Sequence, residues 1–196
     1  MNILFFDTET TGLPIFKKPS EDPDQPYILS IAGLLCDERG NSWGSVDLIL
    51  DNNVDIPNEA TAVHGISSED ATRYGVNPLT ALEAFKELYY LADLVVAHNL
   101  SFDERMLRIM THKLSNFEHN PNVGLCTMLR STAACEIPHP RASGYKWPTL
   151  AEAHEKLVGK KITDAHTAMG DVISCKNLFF KLVDLGHITL DNGSVK

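Results

Sequence analysis

A chain of 196 residues is long enough for one domain with a full core, and 43% apolar with 22% charged residues is ordinary for a globular protein. The formal net charge of −9 runs against the basic surface usual in nucleic-acid binders. An acidic chain with that role needs divalent cations to offset its own carboxylates, or a small local basic patch.

The opening Met1-Asn2-Ile3-Leu4-Phe5-Phe6-Asp7 has no basic region and meets an acid at once, so it does not read as a secretory signal. The longest apolar stretch, around Ile31 to Cys36, is far too short to cross a bilayer. Cys36, Cys126, Cys135 and Cys175 are widely spaced and read as reduced thiols. A cytoplasmic protein with no membrane partner is expected.

Ile3 to Phe6 is a continuous apolar run, suited to a buried central strand. Pro14 to Pro26, with four prolines, reads as a loop. Tyr27 to Asp37 and Trp43 to Leu50, on either side of the Arg39-Gly40-Asn41 turn, extend the first strand into an antiparallel meander. Ser67-Ser68-Glu69-Asp70 opens a short helix. Asn77-Pro78 opens a longer one with Leu82, Phe85, Leu88 and Tyr89 on one face. Leu94 to Ala97 is a fourth strand. Ser101-Phe102-Asp103-Glu104 has capping-box form and predicts a helix to about Leu114. A short strand near Val123 to Leu125 and a helix to about Ala134 follow, then a loop from Glu136 to Pro148. Thr149-Leu150-Ala151-Glu152 caps a helix that Gly159 stops, and a last helix runs from about Thr167 to Leu185, stopped by Gly186. The expectation is one domain over 1–196, with a core of about 3–185 and a short tail at 186–196. It is a mixed α/β sheet of five strands, a meander plus parallel strands, flanked by helices.

Asp7 and Glu9 lie two apart at a strand end. Side chains alternate along a strand, so both carboxylates leave one face. Held that close they repel unless a cation sits between them, and an all-oxygen set suits Mg²⁺ or Mn²⁺. Alone, D-x-E is more often a polar strand end before a turn; the full Asp7-Thr8-Glu9-Thr10-Thr11-Gly12-Leu13 is far more specific. Asp103 falls in a first helical turn, where the dipole favours a carboxylate; a surface acid would do the same. His166 and Asp171 are five apart and would point about 140° apart on one helix. If they share a site, His166 must lie on the loop before the helix and Asp171 inside it. Arg141 to Trp147 mixes basic and aromatic residues, and can be a base-stacking loop or only a solvated one.

In this order, D-x-E, N-x-x-F-D and H-x-A-x-x-D resemble the DEDDh exonucleases, the DnaQ-like family of the DNA polymerase III proofreading subunit, ribonuclease T and exodeoxyribonuclease X. The resemblance covers Ile3 to about Leu182. It implies a ribonuclease H-like fold and 3′→5′ release of nucleoside 5′-monophosphates. It implies two Mg²⁺ ions, with Mn²⁺ able to substitute, held by Asp7, Glu9, Asp103 and Asp171, with His166 as general base. Through Glu59-Ala60-Thr61-Ala62-Val63-His64 it implies His64, and more weakly Glu59, as substrate contacts beside Thr8, Thr10 and Leu13. The expected substrate is the 3′ end of single-stranded DNA. RNA trimming, a polymerase-bound or homodimeric proofreading subunit, and an inactive nucleic-acid-binding module are the alternatives. The intact catalytic set speaks against the last. The only glutamine is Gln25, in the proline-rich loop, so no glutamine-led clamp-binding tail is expected and a free-standing enzyme is favoured.

Overall fold

The computed structural model describes residues 1–114, 123–163, 165–191 and 194–195. Five strands form one sheet: β1 (Asn2–Thr10), β2 (Ile28–Asp37), β3 (Ser42–Ile49), β4 (Leu94–Ala97) and β5 (Gly124–Cys126), in the order β3-β2-β1-β4-β5. β1, β2 and β3 pair antiparallel, and β4 and β5 run parallel to β1. This is the expected mixed sheet.

Helices α1 (Asn58–His64), α2 (Ser68–Tyr74), α3 (Pro78–Leu91), α4 (Leu100–Leu114), α5 (Thr127–Cys135), α6 (Leu150–Ala153) and α7 (Ala168–Asp184) complete it. Asn77 caps α3, and reciprocal capping boxes at Ser67/Asp70 and Thr149/Glu152 open α2 and α6. A small hairpin, β6 (Leu190–Asp191) with β7 (Ser194–Val195), occupies the expected tail.

The alternation of β1 organises the core. Ile3 and Phe5 pack with Val172, Cys175, Leu178 and Phe179 of α7. Leu4 and Phe6 pack with Phe85 and Tyr89 of α3 and with Met106 and Met110 of α4. Phe5 meets Phe179 edge-on, with ring centroids 5.2 Å apart. Both faces of β1 are dry, which explains an unbroken apolar run where a half-exposed strand would alternate. Burying each such side chain stabilises by roughly 1.5–3 kcal/mol.

Three expectations change. β1 continues four residues beyond Phe6, so Asp7 and Glu9 are paired strand residues opposite Ala32 and Ser30. The Ser101 capping box does not form, because α4 already begins at Leu100 and the Ser101 hydroxyl bonds the Asn99 side chain at 3.2 Å. The helix after Thr149 converts to a π-turn at His154–Val158 before Gly159 ends it in a left-handed cap.

Candidate active site

The alternation that divides the core also sorts the polar end of β1. Asp7 and Glu9 continue the face of Ile3 and Phe5, toward α7. There they meet Asp171, in the first turn of α7, and carboxylate oxygens of all three lie within 4.8 Å of one another. Thr8 continues the opposite face, toward α4. Its hydroxyl and its backbone N–H both donate to Asp103 Oδ1, at 2.8 and 3.1 Å. Asp103 is therefore pinned by β1 on the α4 side, while the other three acids converge on the α7 side.

The electrostatics follow from this crowding. Burial, then the charges of Asp103, Asp171 and Glu9, raise the Asp7 carboxyl well above its ordinary range. Burial and Asp171 push Glu9 up to about 7. Burial pushes Asp103 up to about 8 against the opposing hydrogen bonds from Thr8. Burial also raises Asp171, offset by the backbone N–H and the charge of His166. Four crowded acids, two buried and two half-buried, with His166 as the one cationic side chain among these causes, form a cage that resists ionising by itself. Three converging carboxylates and oxygen-only donors fit a hard divalent cation of the Mg²⁺ or Mn²⁺ kind.

His166 lies outside the helix. α7 starts at Ala168 with Thr167 as its cap, the Thr167 hydroxyl accepting the Gly170 N–H at 3.2 Å. His166 takes φ of 65°, a left-handed conformation uncommon for a residue with a side chain. That turn aims its backbone N–H at Asp171 Oδ2, 3.2 Å away, and leaves the residue exposed. Asp164, the first residue of this motif, lies outside the described residues.

The five other singled-out residues share one cleft. Thr8, Thr10, Leu13, Glu59 and His64 line a cavity of about 360 Å³ that also touches Glu9. Leu13 is 76% exposed at its rim. The Thr8 hydroxyl donates to Asp103 and the Thr10 hydroxyl to the Gly12 carbonyl, at 2.9 Å, so neither has a proton free to donate to a ligand. His64 is buried, and its Nδ1 accepts the Ile66 N–H at 3.1 Å, which leaves the ring proton on Nε2. That atom sits beside the Thr10 backbone without a well-formed hydrogen bond among the described residues. Burial lowers the pKa of this imidazole and favours its neutral form.

Phe102 also lines the cleft. Its place in N-x-x-F-D, one residue before Asp103, was the available signal. His98 needs no catalytic account. Its Nδ1 meets the Thr127 hydroxyl and its Nε2 the Pro148 carbonyl, both at 3.0 Å, and it ties the 136–148 loop to the sheet edge.

Comparison with known proteins gives the family and the fold. Residues 4–179 match the RNase_T family, described as exonuclease. An uncharacterized exonuclease, CP81, of Escherichia phage 186 is 32% identical over 180 residues, spanning 86% of this chain and 81% of its own. E. coli exonuclease I, solved with a dT13 oligonucleotide, superposes over 93% of this chain with a TM-score of 0.69 and 18% identity. Exonuclease I of Methylocaldum szegediense does so over 93%, with a TM-score of 0.68 and 21% identity. At those identities the likeness is one of fold, and this chain spans only 41% and 40% of the two exonuclease I chains. The ribonuclease H-like sheet, the ordered acidic motifs and the match over residues 4–179 make this chain a member of the RNase T-type, DEDDh exonuclease family.

Proposed function

We propose that the protein is a metal-dependent 3′→5′ exonuclease acting on single-stranded DNA and releasing nucleoside 5′-monophosphates. The observation that carries this reading is the juxtaposition of the Asp7–Glu9–Asp171 cluster with a one-nucleotide cleft, Glu9 lining both. A cleft of about 360 Å³ is the size of a site for one small ligand, which suits a strand end better than a strand interior. The oligonucleotide complexes of E. coli exonuclease I, with dT13 and dA16, favour DNA as the substrate class.

Asp7, Glu9 and Asp171 would hold a divalent ion, and Asp103 would help hold a second. When bound, such ions lower the pKa of water and offset charge on both oxygens of the phosphodiester exchange. The terminal base lies against Leu13 and Phe102, and the His64 Nε2–H is offered to the terminal nucleotide. His166 accepts the proton of the attacking water as the water oxygen adds to phosphorus. The bond from phosphorus to the 3′ oxygen of the preceding nucleotide breaks, and that oxygen leaves as the new 3′ end. Thr8 acts indirectly, holding the Asp103 carboxylate in place.

Matched 5′-labelled single-stranded DNA, duplex DNA and RNA, each incubated with Mg²⁺ and with Mn²⁺, test the reading. The expected result is a ladder shortening from the 3′ end, fastest on single-stranded DNA. Immediate release of the labelled 5′ nucleotide, or no cleavage in either metal, overturns it. Faster loss of RNA than of DNA transfers the site to an exoribonuclease.

A further inference from the structure

The 141–147 loop has no part in the acidic centre. Two of its polar side chains are committed elsewhere: Lys146 pairs with Glu152 at 2.6 Å, and the Tyr145 hydroxyl donates to Glu136 at 3.3 Å. Trp147 differs. Its side chain is 66% exposed, although the backbone beside it is fixed. The next residue, Pro148, receives the His98 hydrogen bond, and Thr149 caps α6 immediately after. A large apolar ring is thus held in water by a chain segment with little freedom to withdraw it.

That ring is one wall of a second cleft, of about 570 Å³. Leu100, Met128, Leu129 and Arg130 supply much of the rest. Glu104 also lines it, but accepts the Tyr89 hydroxyl at 2.9 Å and is buried. Arg130, exposed, is the one cationic side chain in the lining among the described residues, and Glu104 is turned inward, in a chain of net charge −9. Both clefts are lined by residues of the first turn of α4. Leu100 and Ser101 line this one, Phe102 lines the one-nucleotide cleft, and Asp103 follows.

We propose that this second cleft is a base-stacking subsite for an unpaired nucleotide of the substrate strand, with Trp147 as the platform and Arg130 as the phosphate partner. The inference rests on the reading of the chain as a strand-degrading exonuclease. An exposed aromatic face with a neighbouring guanidinium is the pairing that holds single strands without regard to sequence, since every base has a stacking face. The shared first turn of α4 lets one strand occupy both clefts. The subsite makes affinity depend on strand length and leaves base identity nearly indifferent.

The test uses two readouts. Trp43 is the only other tryptophan. In an Asp7→Asn protein also carrying Trp43→Phe, emission comes from Trp147 alone, and titration with dT12 is expected to quench it while a dinucleotide does not. In the otherwise wild-type enzyme, Trp147→Ala is expected to raise KM for dT12 about tenfold, toward the value for the dinucleotide, with kcat within about twofold. Trp147→Phe retains most of the affinity and Arg130→Ala raises KM in the same direction. Unchanged emission on dT12 binding, together with an unchanged KM in Trp147→Ala, overturns the subsite even if the enzyme degrades DNA. A wild-type protein that degrades no oligonucleotide in Mg²⁺ overturns the nuclease reading itself.

Discussion

Asp7→Asn is expected to abolish Mg²⁺-dependent hydrolysis and, at the same time, to raise the melting temperature of the metal-free protein at pH 8. Both outcomes come from one feature. Asp7 is half-buried with Asp103, Asp171 and Glu9 around it, and its carboxyl is raised well above its ordinary range. Glu9 is raised to about 7 and Asp103 to about 8. In the unfolded chain all of these acids titrate near 4. Between roughly pH 4 and 8 the folded, metal-free protein therefore holds more protons than the unfolded chain, and its stability falls as pH rises through that window. An amide of the same shape removes one charge from the cluster. The variant should outlast the wild type by several degrees at pH 8, since each kcal/mol is worth about 2–4 °C in a domain of this size, and the gap should close by pH 4. Millimolar Mg²⁺ should reverse the order at pH 8 by stabilising only the wild type. Differential scanning calorimetry at the two pH values reads all of this. A variant that hydrolyses DNA at the wild-type rate would sink the assignment.

His166→Ala is expected to lower kcat by roughly two to four orders of magnitude, the usual worth of a general base, while strand binding stays near the wild-type value. The separation is possible because the hydrogen bond from His166 to the acidic cluster is made by its backbone. Its N–H reaches Asp171 Oδ2 at 3.2 Å, and this contact survives truncation of the ring. The left-handed φ of 65° strains alanine, so His166→Asn, which tolerates that conformation better, belongs beside it. Both variants should lose rate alike if the imidazole is what matters. Full activity in His166→Asn assigns the proton transfer elsewhere.

Much of this site was legible in the chain because it rests on local periodicities. The run Ile3 to Phe6 marks the buried strand, and its period of two already assigns Asp7 and Glu9 to one face and Thr8 to the other. The same period explains Asp103 afterwards: it reaches the site from α4, so its partner on β1 is the intervening Thr8. The angle between His166 and Asp171 on a continuous helix required a loop before α7, and the helix begins two residues after His166. Other parts depend on packing that no local signal carries. α1 starts at Asn58 after Pro57, which provides no side-chain cap, so Glu59 and His64 looked like a motif without an element. The π-turn at His154–Val158 has no marker apart from the glycine that ends it. The clefts are assembled from segments far apart in sequence, 8–13 with 57–64 and 99–104 with 124–147, and only the folded chain brings these together.

The central claim is that these carboxylates form a divalent-metal centre, and calorimetric titration with Mn²⁺ at pH 7 in two buffers of different ionisation enthalpy tests it most directly. Because crowding and burial push Glu9 up to about 7 and Asp103 up to about 8, binding is expected to displace protons, and the observed heat should differ between the buffers. Saturable Mn²⁺ binding with proton release in the wild type, lost in Asp7→Asn, is the predicted result. Absence of binding, or equal binding by both proteins, would contradict it.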